Sequence, residues 1–184
     1  MQKLINLARI RSTTRKIRGI VKKTPLQESL NYSQKYNSKI FFKREDLQDV
    51  KSFKIRGAYT KILSVEKTRA QNGLVCASAG NHAQGFAVSC SLLDYNGTVF
   101  MPHSTPSLKV SLVKKFGGKN IKIKLVGENF SKAYKAAMDY CIRNRKTFIH
   151  PFDDIKVIEG QATLFLEVIE QIKNPIDYIF IPIG

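Results

Sequence analysis

The sequence has few residues that could cross-link the chain and no segment suited to a membrane. Its 184 residues include three cysteines and no tryptophan. Cys76, Cys90 and Cys141 are odd in number, far apart and set among apolar neighbours, which disfavours a disulfide framework or a zinc site. No apolar run reaches the roughly 18 to 20 residues that span a bilayer. We therefore expect a cytoplasmic protein without a metal site.

Acidic residues are also scarce. The chain has 14 of them against 31 lysines and arginines, which gives a formal net charge of +17. Such a charge can attract nucleic acid, an anionic membrane surface or acidic substrates. The lysines are spread along the chain without the aromatic interleaving or finger-like spacing of a nucleic-acid reader, so a solvated basic surface is the favoured interpretation. Nucleic-acid binding stays as an alternative, which binding at physiological salt would support.

The basic stretch 1–23 lacks acids entirely, since the first acid of the chain is Glu28. This profile is typical of an organellar transit peptide. The alternative, which we favour, is a helix docked on the surface of the domain through an irregular apolar face. The residues of that face are Leu4, Ile5, Leu7, Ile10, Ile17 and Ile20.

Downstream of this stretch, strand-like and helix-like segments alternate. The runs that predict strands are 39–42, 74–77, 97–102, 121–126, 147–151 and 177–182. The runs that predict helices are 53–66, 81–93, 106–116, 130–145 and 157–173. The alternation predicts an α/β fold in which helices cover a mostly parallel sheet. Sites in such sheets gather at the carboxyl ends of the strands.

Lys54 is the first candidate site residue. It lies between two large apolar side chains, Phe53 and Ile55, at the predicted start of a helix. Partial desolvation, together with the neighbouring Arg56, would lower its pKa and leave a nucleophilic amine, which is the chemistry of a Schiff-base lysine. The alternative is that Lys54 extends its amine to solvent from an amphipathic helix.

A second candidate is the stretch CASAGNHAQGFA, residues 76–87, which places small residues between a predicted strand and a predicted helix. Backbone N–H groups can approach an anion closely there, and the helix dipole favours that anion. Asn81 and His82 would add directed hydrogen bonds. Alternatively, Ser78 or Asn81 only caps the helix and His82 is a packing residue.

Taken together, the motifs resemble the threonine dehydratases and their serine/threonine dehydratase and serine racemase relatives, which are pyridoxal-phosphate enzymes of fold type II. Six motifs in order make this a more specific signal than any single glycine pattern. The matching segments are KKTPL (22–26), FFKREDLQDVKSFKIRGAY (41–59), ASAGNHAQGFA (77–87), MPHSTPSLKV (101–110), HPFDDIKVIEGQAT (150–163) and IFIPIG (179–184).

The resemblance implies a three-layer, tryptophan synthase beta-like fold with two domains. Residues 66–150 would form a nearly complete small domain. Residues 1–65 and 151–184 would form part of the large domain, truncated at the start of the phosphate-binding loop. The resemblance also implies that the protein is a homo-oligomer or needs a complementing C-terminal half. The alternative is a non-catalytic remnant that serves as an interaction module.

The resemblance also assigns roles to individual residues. Lys54 would hold pyridoxal 5'-phosphate covalently and shuttle the α-proton of the substrate. Asn81 would hydrogen-bond the phenolic oxygen of the cofactor, and Gly184 would begin the glycine loop that cradles its phosphate. The loop expected to receive the substrate carboxylate comprises Ser78, Gly80, Asn81 and His82.

The implied reaction converts L-threonine to 2-oxobutanoate and ammonia, as in isoleucine biosynthesis or threonine catabolism, and L-serine would give pyruvate. Ala79 distinguishes between elimination and racemisation, two reaction types of the family. Racemases of this family have a second serine where this chain has Ala79, and a methyl group cannot accept a proton. Elimination is therefore expected rather than racemisation.

Overall fold

The computed structural model describes residues 5–182. Its α-helices are α1 Leu7–Lys16, α2 Leu30–Lys35, α3 Lys54–Leu63, α4 Lys67–Gln71, α5 Asn81–Leu92, α6 Ser107–Gly117, α7 Phe130–Arg143 and α8 Ile155–Gln171. Its strands are β1 Leu26–Glu28, β2 Phe41–Lys43, β3 Leu74–Ala77, β4 Gly97–Met101, β5 Ile121–Leu125 and β6 Thr147–Phe148. Short 3-10 turns lie at Glu45–Leu47 and Gly118–Asn120.

Four strands form a parallel sheet in the order β5-β4-β3-β6, which confirms the predicted α/β fold. All residues of β3 and β4 are buried, because the central strands of such a sheet are covered on both faces. Successive side chains of a strand point to opposite faces. Leu74 and Cys76 of β3 accordingly pack in a core with α5 and α6, whereas Val75 and Ala77 pack against α7.

The other elements pack outside this sheet. β1 and β2 form an antiparallel pair, and α8 packs against both α1 and α3. The α3 and α8 backbones touch at two glycines: a Cβ added at Gly160 would lie 2.6 Å from the Cα of Gly57 and 2.5 Å from the carbonyl oxygen of Arg56. The Gly57 N–H also donates to the Gln161 side chain at 3.1 Å. Larger residues would push the two helices apart.

A buried ionic cluster joins α3 and α8 to the turn after β2. Arg56 is fully buried, and its guanidinium binds Glu45 at 2.8 Å and Glu167 at 2.7 Å. Lys43 binds the second oxygen of Glu167 at 2.6 Å. Two cations therefore face two carboxylates, and the Thr163 hydroxyl accepts a further hydrogen bond from Arg56 at 3.1 Å. The cluster is electrically balanced, as burial of charge requires.

The basic N-terminal stretch docks on the domain as predicted. Arg9 of α1 pairs at 2.7 Å with Glu159 of α8, a residue that is 1% exposed. Thr13 and Ile17 are buried. Leu4, which we placed on the docking face, lies outside the described residues, and Leu7 is half exposed.

The predicted strand at 177–182 is wrong: these residues have no regular secondary structure. Tyr178 is 82% exposed and Phe180 is 92% exposed. A strand needs a neighbour for its backbone hydrogen bonds, and no described strand lies beside this segment. Among the described helices, none combines the length and apolar character of a membrane span.

The ionic cluster yields a prediction for stability. Arg56→Met leaves the carboxylates of Glu45 and Glu167 buried without their main partner. We expect the free energy of unfolding in urea to fall by about 3 to 5 kcal/mol. Arg44→Met is the matched control, because Arg44 is a surface arginine paired with the exposed Asp46, and it should leave stability unchanged. An Arg56→Met chain as stable as the parent would contradict the role given to the cluster.

Candidate active site

Lys54 is the first residue of α3 and is half-buried. Its Nζ donates a hydrogen bond to the carbonyl oxygen of Pro151 at 3.1 Å and lies 5.4 Å from the centroid of the Phe53 ring. Burial lowers the pKa of Lys54, because desolvation disfavours the charged ammonium. A larger fraction of this amine is therefore neutral and nucleophilic at neutral pH than for an exposed lysine.

The lowered pKa of Lys54 confirms the sequence prediction, but the role we gave Arg56 is wrong. Residues two apart on a helix do not face each other, and the Arg56 guanidinium binds Glu45 and Glu167 in the ionic cluster. Its charge is compensated there. Burial alone accounts for the lowered pKa of Lys54.

The loop before α5 follows the carboxyl end of β3. The N–H of Ser78 donates to Phe100 of β4 at 3.0 Å, and the Ser78 hydroxyl accepts from the N–H of Gly80 at 3.2 Å. Gly80 is the N-cap of α5, and no side chain of the described part caps the helix. The capping alternative for Ser78 and Asn81 is therefore wrong. Asn81 is exposed, and a Cβ at Gly80 would meet nothing within 4 Å, so the uncapped helix start faces open space.

His82 lies in the first turn of α5 and is 3% exposed. Its Nε2 is 3.2 Å from the carbonyl oxygen of Ile149. Since a carbonyl only accepts, Nε2 carries the proton and Nδ1 is a bare acceptor. Nδ1 has no hydrogen-bond partner among residues 5–182. Burial lowers the pKa of His82 to about 4. The hydrogen bond to Ile149 opposes this shift, and repulsion by the positive charge of Lys54 adds to it.

Because His82 is neutral, its side chain cannot bind an anion as a charged imidazolium would. Its single ring N–H is used by Ile149, so the side chain has no donor left for a carboxylate. The backbone N–H groups at the start of α5 remain as the donors suited to that task.

Gly85 is a site residue that the sequence reasoning missed. A Cβ added there would lie 3.0 Å from the carbonyl carbon of Lys54 and 3.1 Å from the N of Ile55. The missing side chain thus allows α5 to run directly against the start of α3. A glycine inside a predicted helix is the signal that points to such a close approach. Gly184, the predicted phosphate-loop glycine, lies outside the described residues.

The three cysteines do not compete with Lys54 as nucleophiles. All are buried thiols. Burial raises the pKa of Cys141 to about 11 and raises those of Cys76 and Cys90 as well, which keeps them protonated and unreactive. Among the described residues, no group of three or more histidine, cysteine, aspartate or glutamate side chains is placed to hold a metal ion.

Comparison with known proteins gives a consistent result. The family model described as pyridoxal-phosphate dependent enzyme matches residues 17–184. A biosynthetic L-threonine dehydratase from Halalkalibacterium halodurans is 46% identical over 168 residues, which cover 91% of this chain and 40% of that protein. A counterpart from Bacillus subtilis is 45% identical over 181 residues, covering 98% of this chain and 43% of that protein. The chain thus spans less than half the length of these curated relatives.

Solved structures resemble the chain over a similar extent. The processed form of threonine deaminase isoform 2 from Solanum lycopersicum superposes with a TM-score of 0.82 at 32% identity, covering 92% of this chain and 47% of that chain. Maize serine racemase superposes with a TM-score of 0.85 at 29% identity, covering 91% of this chain and 50% of that chain.

Neutral, buried His82 makes stability depend on pH. Its folded pKa, about 4, lies below the ordinary value of 6.5, so the unfolded chain binds more protons between these values. The stabilisation is fully present above about pH 6.5 and is lost as the pH falls toward about 4. We expect this residue to contribute a loss of about 2 to 3 kcal/mol across the window, measured as the free energy of unfolding in urea.

His82→Gln should remove that contribution and flatten the profile. His150→Gln is the matched control, because His150 is less buried, and its profile should keep most of the drop. A His82→Gln profile as steep as that of the parent would show that another group titrates.

Proposed function

The chain belongs to the pyridoxal-phosphate dependent enzymes, and on that premise we propose that it supplies the lysine-bearing part of a threonine dehydratase. Such an enzyme converts L-threonine to 2-oxobutanoate and ammonia, and would convert L-serine to pyruvate as a side activity. The observation that carries the proposal is the half-buried amine of Lys54, with its lowered pKa, beside the uncapped start of α5. The α/β fold is that of the family's fold type II members.

The choice of threonine dehydratase within the family is supported by similarity. Curated relatives at 45% and 46% identity are named biosynthetic L-threonine dehydratases. Ala79 further supports elimination over racemisation, because its methyl group provides no second base. A role in isoleucine biosynthesis is part of the proposal, since those relatives carry the word biosynthetic in their names.

The residues present fit pyridoxal phosphate. The cofactor is an aldehyde with anionic oxygens, which requires a nucleophilic amine and hydrogen-bond donors. Lys54 supplies the amine, and we assign Asn81 to the phenolic oxygen and Gly184 to the phosphate loop. The Ser52 hydroxyl, two residues before Lys54, is buried without a partner among the described residues. An orphaned polar atom of this kind is typical of a site built around a ligand.

Pyridoxal phosphate, when bound, withdraws electrons from the α-carbon of the attached amino acid. Lys54 then acts as the base, because its desolvated Nζ can take the α-proton of the substrate. The backbone N–H groups of Asn81 and His82, in the first turn of α5, orient the substrate carboxylate at the positive end of the helix dipole. Gly85 brings that turn and Lys54 together, so that the proton acceptor and the carboxylate donors share one site.

We also propose the domain division 66–150 for the small domain, with 1–65 and 151–184 in the large one. It is supported by the parallel sheet, whose strands all lie between residues 74 and 148, and by the packing of α8 on α1 and α3. The relatives are more than twice as long as this chain. We propose that the protein is a homo-oligomer or is completed by a C-terminal half that supplies the remaining phosphate contacts, and that it works in the cytoplasm.

Titration of the chain with pyridoxal phosphate tests the function. We expect a saturable visible absorbance band that Lys54→Ala abolishes, because the band requires the Lys54 amine. Lys67→Ala, which removes an exposed lysine of α4, should leave the band unchanged. A band that survives Lys54→Ala would mean that surface lysines react instead. The complete absence of a band from the parent chain would contradict cofactor binding by this part of the enzyme.

A further inference from the structure

Three residues that follow β6 hold two site side chains at once. The carbonyl oxygen of Ile149 accepts from Nε2 of His82 at 3.2 Å, and the carbonyl oxygen of Pro151 accepts from Nζ of Lys54 at 3.1 Å. We call residues 149–151 the connecting segment. The connecting segment belongs to neither helix, but its carbonyl oxygens bind a side chain in the first turn of α5 and the side chain of the first residue of α3.

The connecting segment is anchored at both ends. The N–H of Ile149 donates to Val75 of β3 at 2.8 Å, and the Ile149 side chain is fully buried. At the other end, Nδ1 of His150 accepts from the N–H groups of Phe152 and Asp153 at 3.3 and 2.7 Å. His150 precedes Pro151, and a residue before proline is restricted to extended backbone. This restriction keeps the carbonyl groups of Ile149 and Pro151 in a fixed relative orientation.

His82 is a costly residue if packing is its sole task. Its Nδ1 is a buried acceptor without a partner among the described residues, and an unpaired buried polar atom is unfavourable. An apolar side chain of similar size would fill the space without that penalty. What the imidazole adds is the Nε2–H that holds Ile149.

We propose that His82 is a positioning residue for Lys54: its Nε2–H fixes the connecting segment, and the Pro151 carbonyl of that segment holds the Lys54 amine. The role differs from carboxylate binding by the His82 side chain, for which no donor is left. The inference rests on the proposed function, in which Lys54 is the reactive amine.

Loss of the His82 donor has a defined consequence. The connecting segment gains freedom, and water replaces the Pro151 carbonyl as the acceptor of the Lys54 amine. Because desolvation is what lowers the pKa of Lys54, entry of water moves that pKa back toward that of an exposed lysine. Because only the neutral amine is nucleophilic, a higher pKa of Lys54 reduces its reactivity at any pH below that pKa.

Competitive labelling with acetic anhydride measures this amine directly and needs no turnover. The labelling rate of each lysine peptide, followed against pH by mass spectrometry, gives its pKa and reactivity, and the exposed Lys67 serves as the internal reference. We expect His82→Leu to lower Lys54 labelling about three- to tenfold at mildly alkaline pH. His82→Gln, whose amide N–H can also donate to the Ile149 carbonyl, should stay within about twofold of the parent.

The outcomes separate this inference from the function it rests on. If Lys54 has a lowered pKa in the parent and keeps it in a folded His82→Leu chain, the positioning role is overturned and the proposed function stands. If Lys54 of the parent titrates like Lys67, both are overturned. If His82→Gln behaves like His82→Leu while remaining folded, the Nε2 donor is not what matters.

A measurement on the parent chain alone guards against a His82→Leu variant that fails to fold. Nitrogen-15 NMR of the histidine ring should show the neutral tautomer with the proton on Nε2 near neutral pH. A proton on Nδ1 would overturn the inference, because Nε2 could then not donate to Ile149.

Discussion

The buried guanidinium of Arg56 is the contact on which the position of Lys54 depends. It binds Glu45 of the turn after β2 and Glu167 of α8, residues 11 and 111 positions away in sequence. A buried ion pair adds little net stability over an apolar core, but breaking one is strongly destabilising. The cluster therefore fixes how α3 lies on α8. The glycine contact between Gly57 and Gly160 then sets the distance between the two helices.

With α3 fixed in this way, the site is assembled around its first residue. α5 reaches the Lys54 backbone because Gly85 has no side chain, and the connecting segment reaches the Lys54 amine through Pro151. Each contact removes water from the lysine, and that burial lowers its pKa. The same packing that stabilises the α3, α5 and α8 arrangement thus makes one lysine of a lysine-rich chain chemically distinct.

The sequence predicted the helices and central strands well wherever their hydrophobic pattern depends only on neighbouring residues. α5 to α8 and β3 to β5 lie within about two residues of their predicted ranges, because amphipathic spacing and buried apolar runs depend on adjacent residues. The apolar neighbours of Lys54 likewise predicted its partial desolvation, whereas its role as the cofactor lysine came from the family resemblance. The elements β1, α2 and α4 are too short to show a hydrophobic period in the sequence. The strand at 177–182 failed because strand formation needs a partner that the sequence pattern does not supply.

Other features depend on contacts between residues far apart in sequence. The direction of the Arg56 side chain follows from Glu45 and Glu167, not from its neighbour Lys54. The tautomer of His82 is set by Ile149, which lies 67 positions away. The most direct test is to treat the chain with pyridoxal phosphate and borohydride and to map the modified lysine by mass spectrometry. The account predicts that the Lys54 peptide carries most of the label, and label spread over the exposed lysines would contradict it.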